Sequence, residues 1–158
     1  MTRSAQLALD LQLEPDYRAE SYCVSEANAS ALALVNRWPT WRQGHMLLIG
    51  PAGAGKTHLA RIWADRARAL TIAPGSLGQS MSRIGRGAAV LIEDAHSGVD
   101  EDALFHLLNR AAGDAGVTVL ITGVDGPDSW PIALADLRSR LTAAEAAVLH
   151  EPDDALLR

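Results

Sequence analysis

The chain has 158 residues, 48% of them hydrophobic, which suits one domain with a single sizeable core and excludes a disordered segment. Its formal net charge of −5 gives no general pull toward phosphate backbones, and no basic run supplies a local one, so strong direct nucleic-acid binding is not expected. Cys23 is the only cysteine and no stretch approaches the ~18 apolar residues of a membrane span, so the expectation is a soluble cytoplasmic protein without an internal disulfide.

Residues 1–21 read as a tail. Within it "AQLALDLQLEPD" (5–16) alternates Leu7, Leu9, Leu11 and Leu13 with smaller or polar residues, a period-two pattern. Asp10 and Glu14 interrupt it, so it is not the apolar stretch of a signal peptide. "SEANASALALVNRW" (25–38) predicts a helix capped by Ser25, with Ala27, Ala31, Leu34 and Val35 at helical spacing. "HMLLIG" (45–50) is a buried strand and "KTHLARIWADRARA" (56–69) an amphipathic helix. "LTIA" (70–73) is strand-like up to Pro74, and the glycine-interrupted "SLGQSMSRIGRG" that follows is ambiguous. "AAVLIED" (88–94) is a strand. "DEDALFHLLNRAAG" (100–113) is a helix capped by Asp100 and ended by Gly113. "VTVLITG" (117–123) is a strand, "LADLRSRL" (134–141) a helix and "AAVLH" (146–150) a last strand. Strands alternating with helices predict an α/β fold in three layers, with about five parallel strands flanked by helices.

"GPAGAGKT" (50–57) matches G-x-x-x-x-G-K-[ST] in full, between a predicted strand and a predicted helix. The glycines let the backbone curl so that successive N–H groups converge on phosphates, and the following helix adds the positive end of its dipole. The expected nucleotide cradle is Gly50, Pro51, Ala52, Gly53, Ala54, Gly55, Lys56, Thr57 and His58. Lys56 is placed on the β/γ-phosphates of ATP or ADP, and the Thr57 hydroxyl on Mg²⁺.

A nucleotide-bound Mg²⁺ calls for a carboxylate at the end of a second buried strand, and Glu93 and Asp94 stand at such an end. Many AAA+ ATPases place Asp first and Glu second; here the order is reversed. Glu93 then takes the metal position and Asp94 the position that polarises a water, each displaced by about one C–C bond. Metal binding is therefore expected more than brisk hydrolysis. The bland alternative is a solvated pair ending a strand.

Thr122 ends a strand expected to lie between the glycine-loop strand and the acidic strand. It either orients a water near a γ-phosphate or is a β-branched strand residue with its hydroxyl satisfied locally. Arg138 and Arg140 are two apart on a helix and face different sides, so one can be structural while the other projects. A projecting Arg140 is either a surface residue or an arginine finger for a neighbouring subunit's ATP. His45, His58, His96, His106 and His150 share no metal-ligand spacing. Trp38, Trp41, Trp63 and Trp130 read as packing anchors, since no basic residues interleave them.

"VSEANASALALVNRW", "GPAGAGKTHLA", "VLIEDA", "VLIT" and "LADLRSRL" occur in an order and spacing that resembles the bacterial replication initiator DnaA and its regulatory relatives. Within that group the chain looks most like the Hda family, regulatory inactivators of the initiator, of the alphaproteobacterial type. The resemblance implies an AAA+ base subdomain over 22–158. It also implies that the tail is a peptide docking on the DNA polymerase sliding clamp, with Gln6, Leu7, Leu9 and Leu11 matching the motif. An extended peptide of this kind seats alternate side chains in a groove while the polar Gln fixes its register. The other reading of the tail is a first strand at a sheet edge. In such proteins the last Arg of the "SR" pair acts in trans, here Arg140 toward ATP held by DnaA, and Thr122 falls in the sensor-1 region. The acidic sensor residue has no clean match, "GVDG" standing in its place.

Two departures bear on function. The segment between Pro74 and Gly87 is short for the extra helix with which the initiator engages single-stranded DNA. The chain stops at "EPDDALLR", where family members continue into a helical lid. Without a lid, weaker nucleotide binding and poor self-hydrolysis are expected. The resulting expectation is a DnaA-related regulator that binds nucleotide and clamp and stimulates hydrolysis of DnaA-bound ATP, itself forming a homo-oligomer in some settings. A generic P-loop ATPase of the helicase-loader group, a small P-loop kinase and a pure interaction module are the other classes.

Overall fold

The computed structural model describes residues 28–150. In chain order the elements are α1 (Ala29–Val35), β1 (His45–Ile49), α2 (Lys56–Ala67), β2 (Leu70–Thr71), α3 (Leu77–Ser80), β3 (Ala89–Ile92), α4 (Glu101–Ala112), β4 (Thr118–Gly123), α5 (Ala135–Ala143) and β5 (Ala146–Val148). The strands form one sheet in the order β2-β3-β4-β1-β5, and every neighbouring pair is parallel. The expected five-stranded α/β architecture is what the chain adopts.

Side chains on a strand alternate between faces, so a continuous apolar run needs a core on each side. The two cores are present. Met46 and Leu48 of β1, Leu91 of β3 and Leu120 of β4 pack with Ala31 and Val35 of α1 and Leu59, Ala60 and Trp63 of α2. Leu47 and Ile49, Val90 and Ile92, and Val119 and Ile121 face the other way, onto Leu104, Leu107 and Leu108 of α4 and Leu137 and Leu141 of α5. Truncating a fully buried residue such as Leu107 to Ala costs about 2–5 kcal/mol. The tryptophans pack as expected: Trp63 meets Trp41 and Trp38 at centroid distances of 5.2 and 6.2 Å, and Trp130 is buried under β4.

The boundaries shift in places. The first helix begins at Ala29, and its expected cap Ser25 lies outside the described residues, as does the whole tail with Gln6, Leu7, Leu9 and Leu11. β2 keeps only two residues, although the Ile72 amide still bonds the Leu91 carbonyl at 2.9 Å before Pro74 ends the run. The ambiguous stretch forms the one-turn helix α3 and a 3₁₀ turn at Met81–Arg83. Asp100 caps α4, one oxygen accepting from the Ala103 amide at 3.3 Å and the other from the Gly78 amide at 3.1 Å, which ties α3 to α4. β4 lies between β3 and β1, the position expected for the strand carrying Thr122.

Candidate nucleotide-binding site

In an open parallel sheet the strand ends that feed helices leave a crevice where ligands bind. The loop from Gly50 to Gly55 opens there, between the end of β1 and the start of α2. Gly53 and Gly55 have φ of +84° and +99°, values that favour glycine, and they turn the chain tightly into the helix. Gly50 is required for a different reason. A Cβ there would stand 2.8 Å from the Leu149 carbonyl oxygen, on the segment that continues β5. The Gly50 amide bonds the Gly123 carbonyl at 3.2 Å, fixing the loop to the end of β4.

Lys56 is the first residue of α2 and is buried. Its ammonium donates to the carbonyls of Gly50 at 2.7 Å and Pro51 at 3.0 Å. Burying a charge is costly unless it is hydrogen-bonded, and these two carbonyls offset that cost while leaving its third donor for a ligand. Thr57 is exposed, and a cleft of about 510 Å³ joins it to Ala52, Gly53, Gly55, Lys56, Asp94, His96, Ser97 and Val124. Pro51, Ala54 and His58 belong to the same loop and first helical turn.

The two acids differ at the end of β3. Asp94 adopts the left-handed conformation, φ 63° and ψ 42°, and lines both the cleft beside Lys56 and Thr57 and a neighbouring depression. Glu93 lines that depression, with Thr71, Ala73 and Gly75, but not the cleft, and lies 3.6 Å from the Arg61 guanidinium. That partly exposed pair is worth at most about 1 kcal/mol. The Thr122 hydroxyl is buried and accepts the Asp94 amide at 3.0 Å. Nearby, the His96 Nδ1 accepts the Val124 amide at 3.1 Å. These two side-chain bonds continue the β3–β4 ladder past its last backbone pair, Ile92 with Ile121.

His96, Ser97 and Val124 were not expected at the site. Their signal is positional: each follows closely on the last residue of a strand, where the crevice opens. Trp130 supports Val124 from below, its indole N–H donating to the carbonyls of Val124 at 3.0 Å and Asp125 at 3.3 Å. Arg138 is structural. It donates to the Ile132 carbonyl at 2.6 Å and the Asp128 carbonyl at 3.2 Å, pinning the loop before α5. Arg140 donates to Asn109 Oδ1 at 2.6 Å, and its guanidinium lies 5.2 Å from the centroid of the Phe105 ring.

The cleft suits a phosphate chain with a hard cation. Thr57 and Asp94 open oxygen donors onto one space, and Mg²⁺ is ordinarily held by one or two carboxylates together with phosphate oxygens. Among the described residues no cluster of three or more His, Cys, Asp or Glu could hold a metal by itself. No helix among them is long and apolar enough to cross a membrane.

Sheet order, glycine loop and acidic strand end together give the chain the P-loop fold of AAA+ domains. Within that class the fold is similar to that of the replication initiator DnaA. DnaA from Aquifex aeolicus, solved with AMPPCP bound, superposes with a TM-score of 0.72 at 18% identity, over 90% of this chain and 52% of that one. Domain III of DnaA from Thermotoga maritima gives 0.68 at 23% identity, over 92% of this chain and 71% of that one. The R170A form of Thermotoga maritima RuvB gives 0.56 at 21% identity, over 87% and 49%. An uncharacterised protein of Haemophilus influenzae is 29% identical over 126 residues, 72% of this chain and 54% of that protein. The chain thus spans about half the length of that relative and of the Aquifex initiator. No family model matches it.

Proposed function

We propose that this chain is a DnaA-related regulator of chromosome replication initiation in the bacterial cytoplasm. It binds ADP or ATP in the cleft at Lys56 and Thr57, docks on the DNA polymerase sliding clamp through Gln6, Leu7, Leu9 and Leu11, and offers Arg140 to ATP held by DnaA. The observation that carries the reading is the separation of Arg140 from its own cleft. Arg140 shares a depression with His45, at the start of β1, whereas the glycine loop leaves the end of that strand. Five strand residues at about 3.3 Å each lie between them, so Arg140 serves a phosphate on another molecule or none.

Mg²⁺, when bound with the nucleotide, neutralises phosphate charge; Thr57 with Glu93 or Asp94 would hold it. Lys56 binds and orients the phosphates, and Thr122 fixes the backbone that carries Asp94. The grip of Asn109 and Phe105 on Arg140 must loosen for the guanidinium to reach another molecule's phosphate. Hydrolysis on this chain is slow in this reading.

The test is turnover of ATP bound to DnaA in the presence of this chain and DNA-loaded clamp. The wild type accelerates it. Arg140→Ala loses the acceleration while retaining nucleotide and clamp binding, and a Gln6→Ala/Leu9→Ala variant loses clamp binding first. A wild type that leaves the turnover unchanged overturns the reading.

A further inference from the structure

A second cluster of basic groups lies at the opposite end of the sheet. The chain turns back on itself at Gln43 and Gly44, with φ of 57° and 79°, just before β1. That turn brings the Gln43 carbonyl to within 3.3 Å of the His45 Nδ1. A carbonyl only accepts, so the ring hydrogen sits on Nδ1 and Nε2 carries a lone pair. His45 is buried, and its Nε2 has no hydrogen-bond partner among the described residues. A depression of about 200 Å³ is lined by Arg42, Gln43, His45, Arg140, Ala143 and Ala144.

Both arginines of this depression are held by neutral groups. Arg42 donates to the Ala143 carbonyl at 2.9 Å, and Arg140 to Asn109 Oδ1. Among the described residues no carboxylate pairs with either one. Each guanidinium has five N–H donors in a planar fork and spends one of them among the described residues, so most remain for a ligand. Two uncompensated cations beside a buried unpartnered imidazole fit an oxyanion, which arginine forks bind with paired hydrogen bonds.

We propose that this depression is a phosphate site, in which Arg42 and Arg140 hold the oxyanion and His45 beneath them takes up a proton as it binds. The site shares Arg140 with the reading above but does not depend on DnaA or the clamp. Among the described residues the charged groups acting on His45 are Arg140 from α5 and Arg42 from its own turn, and both disfavour its protonation. No charged side chain of α4 or β4 acts on it. Glu145, on the connection from α5 to β5, is engaged by Arg37 at 2.9 Å. An anion seated on the two arginines offsets their field, so binding of the anion and protonation of the ring favour one another.

The test uses the full chain and the histidine ring resonances, with sulfate as the first probe because its charge is constant between pH 5.5 and 7.5. Sulfate should shift the His45 resonance saturably, and its affinity at that site should rise as pH falls, by up to about tenfold per unit. Arg42→Gln, an exposed position, should lose the response while the fold is retained. Inorganic phosphate and Mg-ATP then identify the source: response to phosphate alone marks a free oxyanion, and response to both marks a terminal phosphate group. Shifts confined to His96, in the glycine-loop cleft, overturn the proposal, as does an undiminished His45 response in Arg42→Gln. A failure of the nucleotide reading would instead leave His96 unmoved by Mg-ATP, so the two failures are distinguishable.

Discussion

The Asp94 amide donates to the buried Thr122 hydroxyl at 3.0 Å, so the penultimate residue of β4 sets the conformation of the acid that follows β3. A buried hydroxyl that accepts the Asp94 amide acts as a positioning group for that residue. Thr122→Val leaves the amide without this partner. Urea unfolding should show a loss of about 1–3 kcal/mol. Thr122→Ser, which keeps the acceptor, should recover most of it. Equal losses in the two variants would mean that the methyl group, not the hydroxyl, matters here.

Asp94 also occupies a left-handed conformation that Asp and Asn tolerate and other residues resist. Asp94→Asn should therefore fold with near-native stability, while Asp94→Ala should lose about 1 kcal/mol. Both remove the carboxylate from the cleft, so both should weaken Mg²⁺-dependent nucleotide binding. Glu93→Gln, whose carboxylate faces Arg61 and the neighbouring depression, should weaken it less. Calorimetric titration with Mg-ADP compares the three variants directly. A larger effect at Glu93 would return the metal to the first of the two acids.

Two buried tryptophans differ in one respect. Trp130 donates its N–H to two loop carbonyls, whereas the Trp63 Nε1 has no hydrogen-bond partner among the described residues. Replacement by Phe removes the same atoms from each. Trp130→Phe should cost about 1 kcal/mol more than Trp63→Phe, because only there are carbonyls left unpaired. It should also accelerate amide exchange at Val124, which lines the cleft, and Trp63→Phe should not. Matching losses would show that packing alone sets both.

The apolar runs announced all five strands; β1 and β4, buried throughout, were placed within a residue at each end, whereas the runs over 70–73, 88–94 and 146–150 were each longer than the strands they form. The glycine loop was legible because its chemistry requires a fixed residue spacing within one short segment. The division of labour between Arg138 and Arg140 was half legible. Their two-residue spacing separates their faces, but which one the loop at 128–132 would recruit depends on the fold. The bonds from Asp94 to Thr122 and from Val124 to His96 each join residues 28 apart, and only the strand order makes them neighbours. The meeting of His45 with Arg140 has the same origin. β2 was overextended because Ile72 and Ala73 look like strand residues, and the proline that follows gave the stop two residues late.

Burial pushes His45 below the ordinary histidine value of 6.5. The Gln43 carbonyl opposes this by favouring the charged ring, while Arg140 and Arg42 add to the lowering. The unfolded chain therefore binds this proton more readily than the folded one. Stability from the group is complete above about pH 6.5 and is lost as pH falls through the folded value. In buffers free of sulfate and phosphate, unfolding free energy should decline over that window with a slope approaching 1.4 kcal/mol per pH unit for this one proton. His45→Leu removes the titration, and its profile should be flatter than the wild type by that amount, whatever its absolute stability. Adding sulfate to the wild type should also flatten the profile, since the bound anion raises the affinity of the folded ring for its proton. Coincident slopes for wild type and His45→Leu would remove His45 from the account of acid sensitivity, and a flattening by sulfate that persists in Arg42→Gln would remove the arginine depression from it.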